Sequence, residues 1–189
     1  MASEKEKDNW IMKIFEKINQ CAQSWEIVDM IRKSKLEAND VDTDGATLLH
    51  WAALHGEYIV CRYLINARKA DVNLRSKDGK TALHRACEVR DGSDFGPEFH
   101  LNFGVETVEL LLKSGADMNV MDNDGFKPIH VAIINENLNT IQLLMKYGAD
   151  LEEPTGRGEA FKDLLQNFEK YKLFEPLCKL VAAKKQRIH

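Results

Sequence analysis

Gly45-Ala46-Thr47-Leu48-Leu49-His50-Trp51-Ala52-Ala53 decides how this chain is read, because it comes back twice. The second copy is Gly79-Lys80-Thr81-Ala82-Leu83-His84-Arg85-Ala86-Cys87. The third is Gly125-Phe126-Lys127-Pro128-Ile129-His130-Val131-Ala132-Ile133. A leucine-rich run and an Ala-Asp turn follow each copy, at Ala70-Asp71-Val72-Asn73, Gly115-Ala116-Asp117-Met118-Asn119 and Gly148-Ala149-Asp150-Leu151. Two-part blocks recurring in order mark a repeat architecture, in which each unit buries its apolar face only by stacking on its neighbours. Gly45 and Gly79 stand 34 residues apart and Gly125 and Gly158 stand 33 apart, but Gly79 and Gly125 stand 46 apart. The second unit therefore carries an insertion, placed between its two helices at residues 91–103.

The blocks resemble the ankyrin repeat, specifically over Asp42 to Glu153. The resemblance implies an all-α solenoid of stacked helix-turn-helix units joined by short β-hairpin-like turns. It has three recognisable repeats and a degenerate cap at each end. The expected division is a disordered N-terminus (1–8), an N-terminal helical cap (9–41), repeat one (42–75), repeat two with its insertion (76–121), repeat three (122–154) and a degenerate C-terminal cap (155–189). The family pattern also gives the recurring histidine a structural role. Thr47 with His50 and Thr81 with His84 form hydrogen-bonded helix starts, and the histidine links neighbouring repeats. Lys127 replaces the threonine in the third copy, so His130 should lack a hydroxyl partner.

The flanks read as caps from their own residues. Trp10, Ile11, Ile14, Phe15, Ile18 and Cys21 fall at helical spacing. Ser24 is placed to N-cap a second helix carrying Ile27, Val28, Met30 and Ile31. Leu164, Leu165, Phe168, Phe174, Leu177, Leu180 and Val181 give two more apolar stripes at the other end. Terminal units of a stack must differ from the internal ones because they have a polar outer face.

Composition excludes several function classes. The formal charge is −4 and the pI about 5.9, without the basic stripe that a nucleic-acid binder needs. No run reaches the length and apolarity of a membrane span, so neither nucleic acid nor membrane insertion is expected. Cys21, Cys61, Cys87 and Cys178 are scattered without a C-x-x-C pair, and read as reduced thiols in an intracellular protein, cytoplasmic or nuclear. No metal-protease, nucleophile-elbow or phosphate-loop motif occurs. The expectation is therefore no catalytic residue, cofactor or metal, no small-molecule substrate, and a monomer that binds a protein.

The surface carries that expectation. The family docks partners on its turn tips and the exposed part of each first helix, the concave side. By register this places Thr43, Asp44, Ala46, Leu54 and His55 there in repeat one, and Lys77, Asp78, Lys80, Glu88 and Val89 in repeat two. Repeat three contributes Asn123, Asp124, Phe126, Ile134 and Asn135. Leu54, Val89, Phe126 and Ile134 are apolar and would form a patch. The insertion brings Phe95 and Phe99, either as a docking element or as side chains folded onto the solenoid; loops of this length are usually functional or disordered. The chain reads as a protein-binding module, an adaptor or a stoichiometric inhibitor similar to the NF-kappa-B inhibitors. Asn119, with Leu111 eight residues before it, resembles the asparagine that hydroxylases of the hypoxia pathway modify in ankyrin proteins, and Asn73, with Ile65, is a second such position.

Overall fold

The computed structural model describes residues 4–19, 23–89, 103–160 and 164. They form α1 (Glu4–Asn19), α2 (Ser24–Lys33), α3 (Leu48–Leu54), α4 (Tyr58–Asn66), α5 (Ala82–Cys87), α6 (Phe103–Lys113), α7 (Pro128–Ile134) and α8 (Leu138–Lys146). The insertion with Phe95 and Phe99, and the C-terminal cap beyond Leu164, lie outside the described residues.

The helices stack in two layers. α1, α3, α5 and α7 succeed one another in the inner layer, and α2, α4, α6 and α8 in the outer one. The repeat motif explains why. Its small residues, Ala52, Ala53, Ala86, Cys87 and Ala132, are fully enclosed and let the short inner helices approach closely. Leu49, Leu83 and Ile133 of the inner helices then meet Leu64, Leu111, Ile141 and Leu144 of the outer ones, all buried. Each such side chain contributes roughly 1.5–3 kcal/mol when it leaves water.

α1 and α2 occupy the place of one more unit. α1 packs on α3 and α2 on α4. Ile11, Ile14, Phe15 and Ile18 are buried, and the Phe15 ring lies 4.5 Å from the Trp51 ring. The extra residue of repeat one contributes here: Arg68 donates to the carbonyl oxygens of Ile31 and Leu36, joining α4 to the segment after α2.

Turns precede the inner helices and stack edge to edge. Asp42, Ser76, Asp122 and Thr155 each donate an amide four residues on, to the carbonyls of Ala46, Lys80, Phe126 and Glu159. Lys77 N–H then donates to Asp44 O at 2.9 Å, Asn123 N–H to Asp78 O at 2.9 Å and Gly156 N–H to Gly125 O at 2.7 Å. The glycine of each turn (Gly45, Gly79, Gly125, Gly158) has positive φ, which glycine adopts without a Cβ penalty.

Three local expectations need correction. α1 begins at Glu4, inside the stretch 1–8 expected to be disordered. Glu and Lys are good helix formers, and the charged turn continues a helix anchored by the buried residues that follow. Ser24 is the first residue of α2 rather than its cap, and its hydroxyl donates to Glu57 Oε2 at 2.7 Å, tying α2 to the head of α4. Phe103 belongs to α6 and not to the insertion, because Phe103 to Lys113 keeps helical apolar spacing.

Candidate functional site

The inner helices and turns share one face, and the motif histidines hold it rigid. His50 Nδ1 accepts the Thr47 amide at 3.1 Å and stands 2.9 Å from the Thr47 hydroxyl. His84 does the same with Thr81 at the same distances. With Nδ1 accepting, the proton sits on Nε2, which donates to the next unit: His50 to Lys80 O at 3.1 Å and His84 to Phe126 O at 3.0 Å. His130 donates to Glu153 O at 2.9 Å. Its Nδ1 accepts the Lys127 amide at 3.1 Å with a lysine where the other repeats have a hydroxyl. Lys127 is buried, and its ammonium pairs with Glu153 Oε1 at 2.5 Å. Burial holds all three histidines below the ordinary imidazole value, against the opposing pull of the carbonyls they bond. Both nitrogens of each ring are thus committed to structure.

Several of the register positions lie at the surface. Asp44, Lys77 and Asn123 are exposed at the turn tips, and Asn123 Nδ2 donates to Lys77 O at 2.8 Å. Ile134 is 43% exposed at the end of α7, and Leu54 and Asn135 are half-buried in the equivalent region. Lys80 is half-buried and held at 2.5 Å by Glu88, which also takes Arg85.

Three placements differ. Ala46 is buried, because its small side chain faces the stack rather than the groove. Val89 is half-buried against the backbone of Gly104, and its carbonyl accepts Asn137 Nδ2 at 2.7 Å. It therefore joins repeats two and three. His55 caps the far end of α3 and lines a cleft of about 260 Å³ with Ser24, Gly56, Glu57, Tyr58 and Glu106, at the helix ends opposite the turns. Phe126 holds its groove position only in part: it is half-buried, the Arg157 guanidinium lies 5.8 Å above its ring, and His130 meets it edge-on at 6.5 Å.

Sequence reasoning missed the residue after each motif histidine. Trp51 Nε1 donates to Asp42 Oδ2 at 2.9 Å, and Arg85 donates to Asp78 Oδ2 at 2.8 Å. The variability of that position across the copies (Trp51, Arg85, Val131) was the available signal. Asp78 is held below the usual carboxylate range: burial pushes it up, but the Ser76 hydroxyl, the Lys80 amide and Arg85 outweigh that. A second surface feature lies on the outer helices, where Trp25, Val28, Asp29, Arg32 and Ile59 line a shallow groove.

The two asparagines are not equivalent. Asn73 Nδ2 donates to Gly115 O at 3.0 Å and its Oδ1 accepts the Asp117 amide at 2.9 Å, bridging repeats. Asn119 is exposed, as Asn73 is, and its backbone amide donates to Asp117 Oδ1 at 2.8 Å. Cys61 and Cys87 are buried free thiols, and burial pushes both well above the ordinary thiol value. Among the described residues no His, Cys, Asp or Glu cluster suited to a metal occurs, and no helix is long and apolar enough to cross a membrane.

Comparison with known proteins agrees with this geometry. Across 113 residues the chain is 31% identical to a probable serine/threonine-protein kinase of Dictyostelium discoideum, covering 60% of this chain and 12% of that protein. It is 39% identical over 94 residues to human BCL-6 corepressor-like protein 1, covering 50% of this chain and 4% of that protein. It is 29% identical over 102 residues to a palmitoyltransferase of Neurospora crassa, covering 54% and 12%. The chain thus spans a small part of each relative, and the three names share no single activity. The family model for ankyrin repeats, in three copies, matches residues 18–94 and 100–169. Such repeats are protein–protein interaction modules, and the chain belongs to the ankyrin-repeat family.

Proposed function

We propose that this protein binds a protein partner, without catalysis, through the concave groove formed by its turn tips and inner helices, with repeat three as the anchor. One observation carries the reading: Ile134 is 43% exposed on α7 while every other large apolar side chain of that helix is buried. Phe126, half-buried at the turn of the same repeat, extends the apolar surface toward the tips. Interface energy concentrates in a few apolar or aromatic anchors of this kind. The commitment of both nitrogens of each motif histidine supports a structural rather than a chemical role for them.

The test is affinity purification with identification of the bound proteins, run on the natural chain and on Ile134→Asp. Loss of a bound protein from the variant, at unchanged melting temperature, supports the groove. A bound set indifferent to Ile134→Asp and to Phe126→Ala, but sensitive to Trp25→Ala, would move the site to the outer helices.

A further inference from the structure

In each of the first two repeats, the residue after the motif histidine closes a turn carboxylate. Trp51 supplies the donor to Asp42, the first residue of its turn, and Arg85 to Asp78, the third residue of a turn that begins with Ser76. In the third repeat that residue is Val131, buried and without a donor. Asp122 stands where Asp42 stands in the first repeat. Its Oδ1 takes the same two amides, from two and four residues on, at 3.0 Å (Asp124) and 2.8 Å (Phe126). Asp42 Oδ1 takes those of Asp44 and Ala46, both at 2.8 Å. The match ends at the second oxygen. Asp122 is 6% exposed, and its Oδ2 is buried with no hydrogen-bond partner among the described residues. Lys127, the buried cation of this repeat, is already committed to Glu153. A buried carboxylate oxygen without a donor is costly, more so than a neutral acceptor.

We infer that Asp122 receives a cationic side chain from the partner, so that the segment bound over repeat three carries an arginine or lysine beside an apolar residue. The inference rests on the groove reading above and adds the chemistry of what the groove takes. The cation does from outside what Trp51 and Arg85 do from within, and the apolar neighbour lies on Phe126 and Ile134. Arg157 is the adjoining side chain with room to give way. It is 57% exposed, lies over the Phe126 ring, and pairs with Asp124 Oδ1 at 2.7 Å. An incoming guanidinium takes its place over the turn. Arginine suits the position best, since its planar fork reaches a carboxylate and stacks on an aromatic ring at once.

The test uses the full chain and a random peptide display library. Peptides whose binding is weakened by Ile134→Asp or Phe126→Ala are the groove binders, and these should be enriched in arginine or lysine. Replacing that arginine by citrulline, which keeps the shape and loses the charge, should weaken binding to the natural chain about tenfold or more, as expected for a charge-assisted hydrogen bond. The same replacement should have little effect on Asp122→Asn, which retains the Oδ1 acceptor for both amides. Val131→Trp, which copies the Trp51–Asp42 pair, should supply the internal donor, raise the melting temperature of the free chain and weaken the arginine peptides; Val131→Leu should do neither. Groove binders indifferent to peptide charge and to Asp122→Asn overturn the inference and leave the groove standing. A library yielding no peptide sensitive to Ile134→Asp or Phe126→Ala overturns both.

Discussion

His84 of repeat two holds the backbone of repeat three through a 3.0 Å hydrogen bond from its Nε2 to the carbonyl oxygen of Phe126. The contact falls on the second residue of the next motif, and His50 repeats it at Lys80, whereas His130 bonds Glu153, ahead of the last turn. Each bond needs a neutral ring, because Nδ1 must keep its lone pair for the amide at the helix start.

Stability should therefore fall in mild acid. Unfolded histidine takes a proton near pH 6.5, about its unperturbed value. In the folded chain burial keeps these three neutral to lower pH. Between the two values the unfolded chain binds more protons. The contribution is fully present above about pH 6.5 and is lost as pH falls toward the folded pKa values, at up to about 1.4 kcal/mol per pH unit for each histidine. Urea midpoints measured from neutral pH down to about pH 5 should decline, and His50→Ala should flatten the curve. A flat midpoint in the natural chain would contradict the bonding scheme.

The contact of Phe15 with Trp51 joins α1 to α3 at 4.5 Å between ring centres. Phe15→Ala should cost about 3 kcal/mol, the usual loss for a buried phenylalanine, and Met12→Ala, on the exposed side of the same helix, about 0.5 kcal/mol or less. Chemical denaturation of both variants compares them. Equal effects would mean that α1 is an appendage.

Much of this was readable before any coordinates. The Thr-x-x-His spacing, the small residues and the Ala-Asp turns specify the stack, since each is dictated by contacts inside a repeat or with an identical neighbour. What the repeat pattern could not supply was contact between unlike neighbours. Phe126 occupies a position that varies freely, yet Arg157 of the next unit partly covers it. Val89 looked exposed by register until α6 was placed beside it. The bonds of Trp51 and Arg85 depend on a side chain at one variable position meeting a carboxylate at another, and no periodicity encodes that.

For Phe126 the consequence is a measurable split. Register alone gives Phe126→Ala almost no effect on folding. A half-buried ring predicts a loss of about 1 kcal/mol instead, while Ile134→Ala should change stability by about 0.5 kcal/mol or less. Both should weaken partner binding, by about 2 kcal/mol if they are anchors. Thermal melts set beside affinity titrations read the two effects separately, and an Ile134→Ala variant as unstable as a core mutant would remove it from the groove.

Lys69 has φ of +60°, where the other two repeats have Gly115 and Gly148. A left-handed conformation costs a residue with a side chain about 1–2 kcal/mol. Lys69→Gly should raise stability by about 1 kcal/mol despite the added freedom of the unfolded chain. Gly148→Ala should lower it by a similar amount. Melting temperatures that move the other way would show that the Lys69 side chain contributes more than its backbone costs.

If an asparagine hydroxylase acts on this chain, Asn119 should be modified before Asn73. Both asparagines are exposed, but the Asn73 carboxamide bonds Gly115 and Asp117 across two repeats, a pair of bonds the Asn119 carboxamide does not make among the described residues. Peptide mapping after timed enzyme treatment would give the order. Modification of Asn73 first would mean that access is set by opening of the repeat rather than by the bonds of the carboxamide.

Asn137 bonds the carbonyl of Val89, and the Val89 side chain lies against Gly104, where a Cβ would come within 3.1 Å of it. Val89 and Gly104 therefore meet within repeat two, on either side of the insertion, and Asn137 of repeat three ties Val89 in place. Closing a longer loop across fixed ends costs only about 0.6 kcal/mol for each doubling of its length. The pairing of Val89 with Gly104 thus acts as a socket, and the register of the helices on either side is set by that pairing and by Asn137 rather than by the length of chain between them.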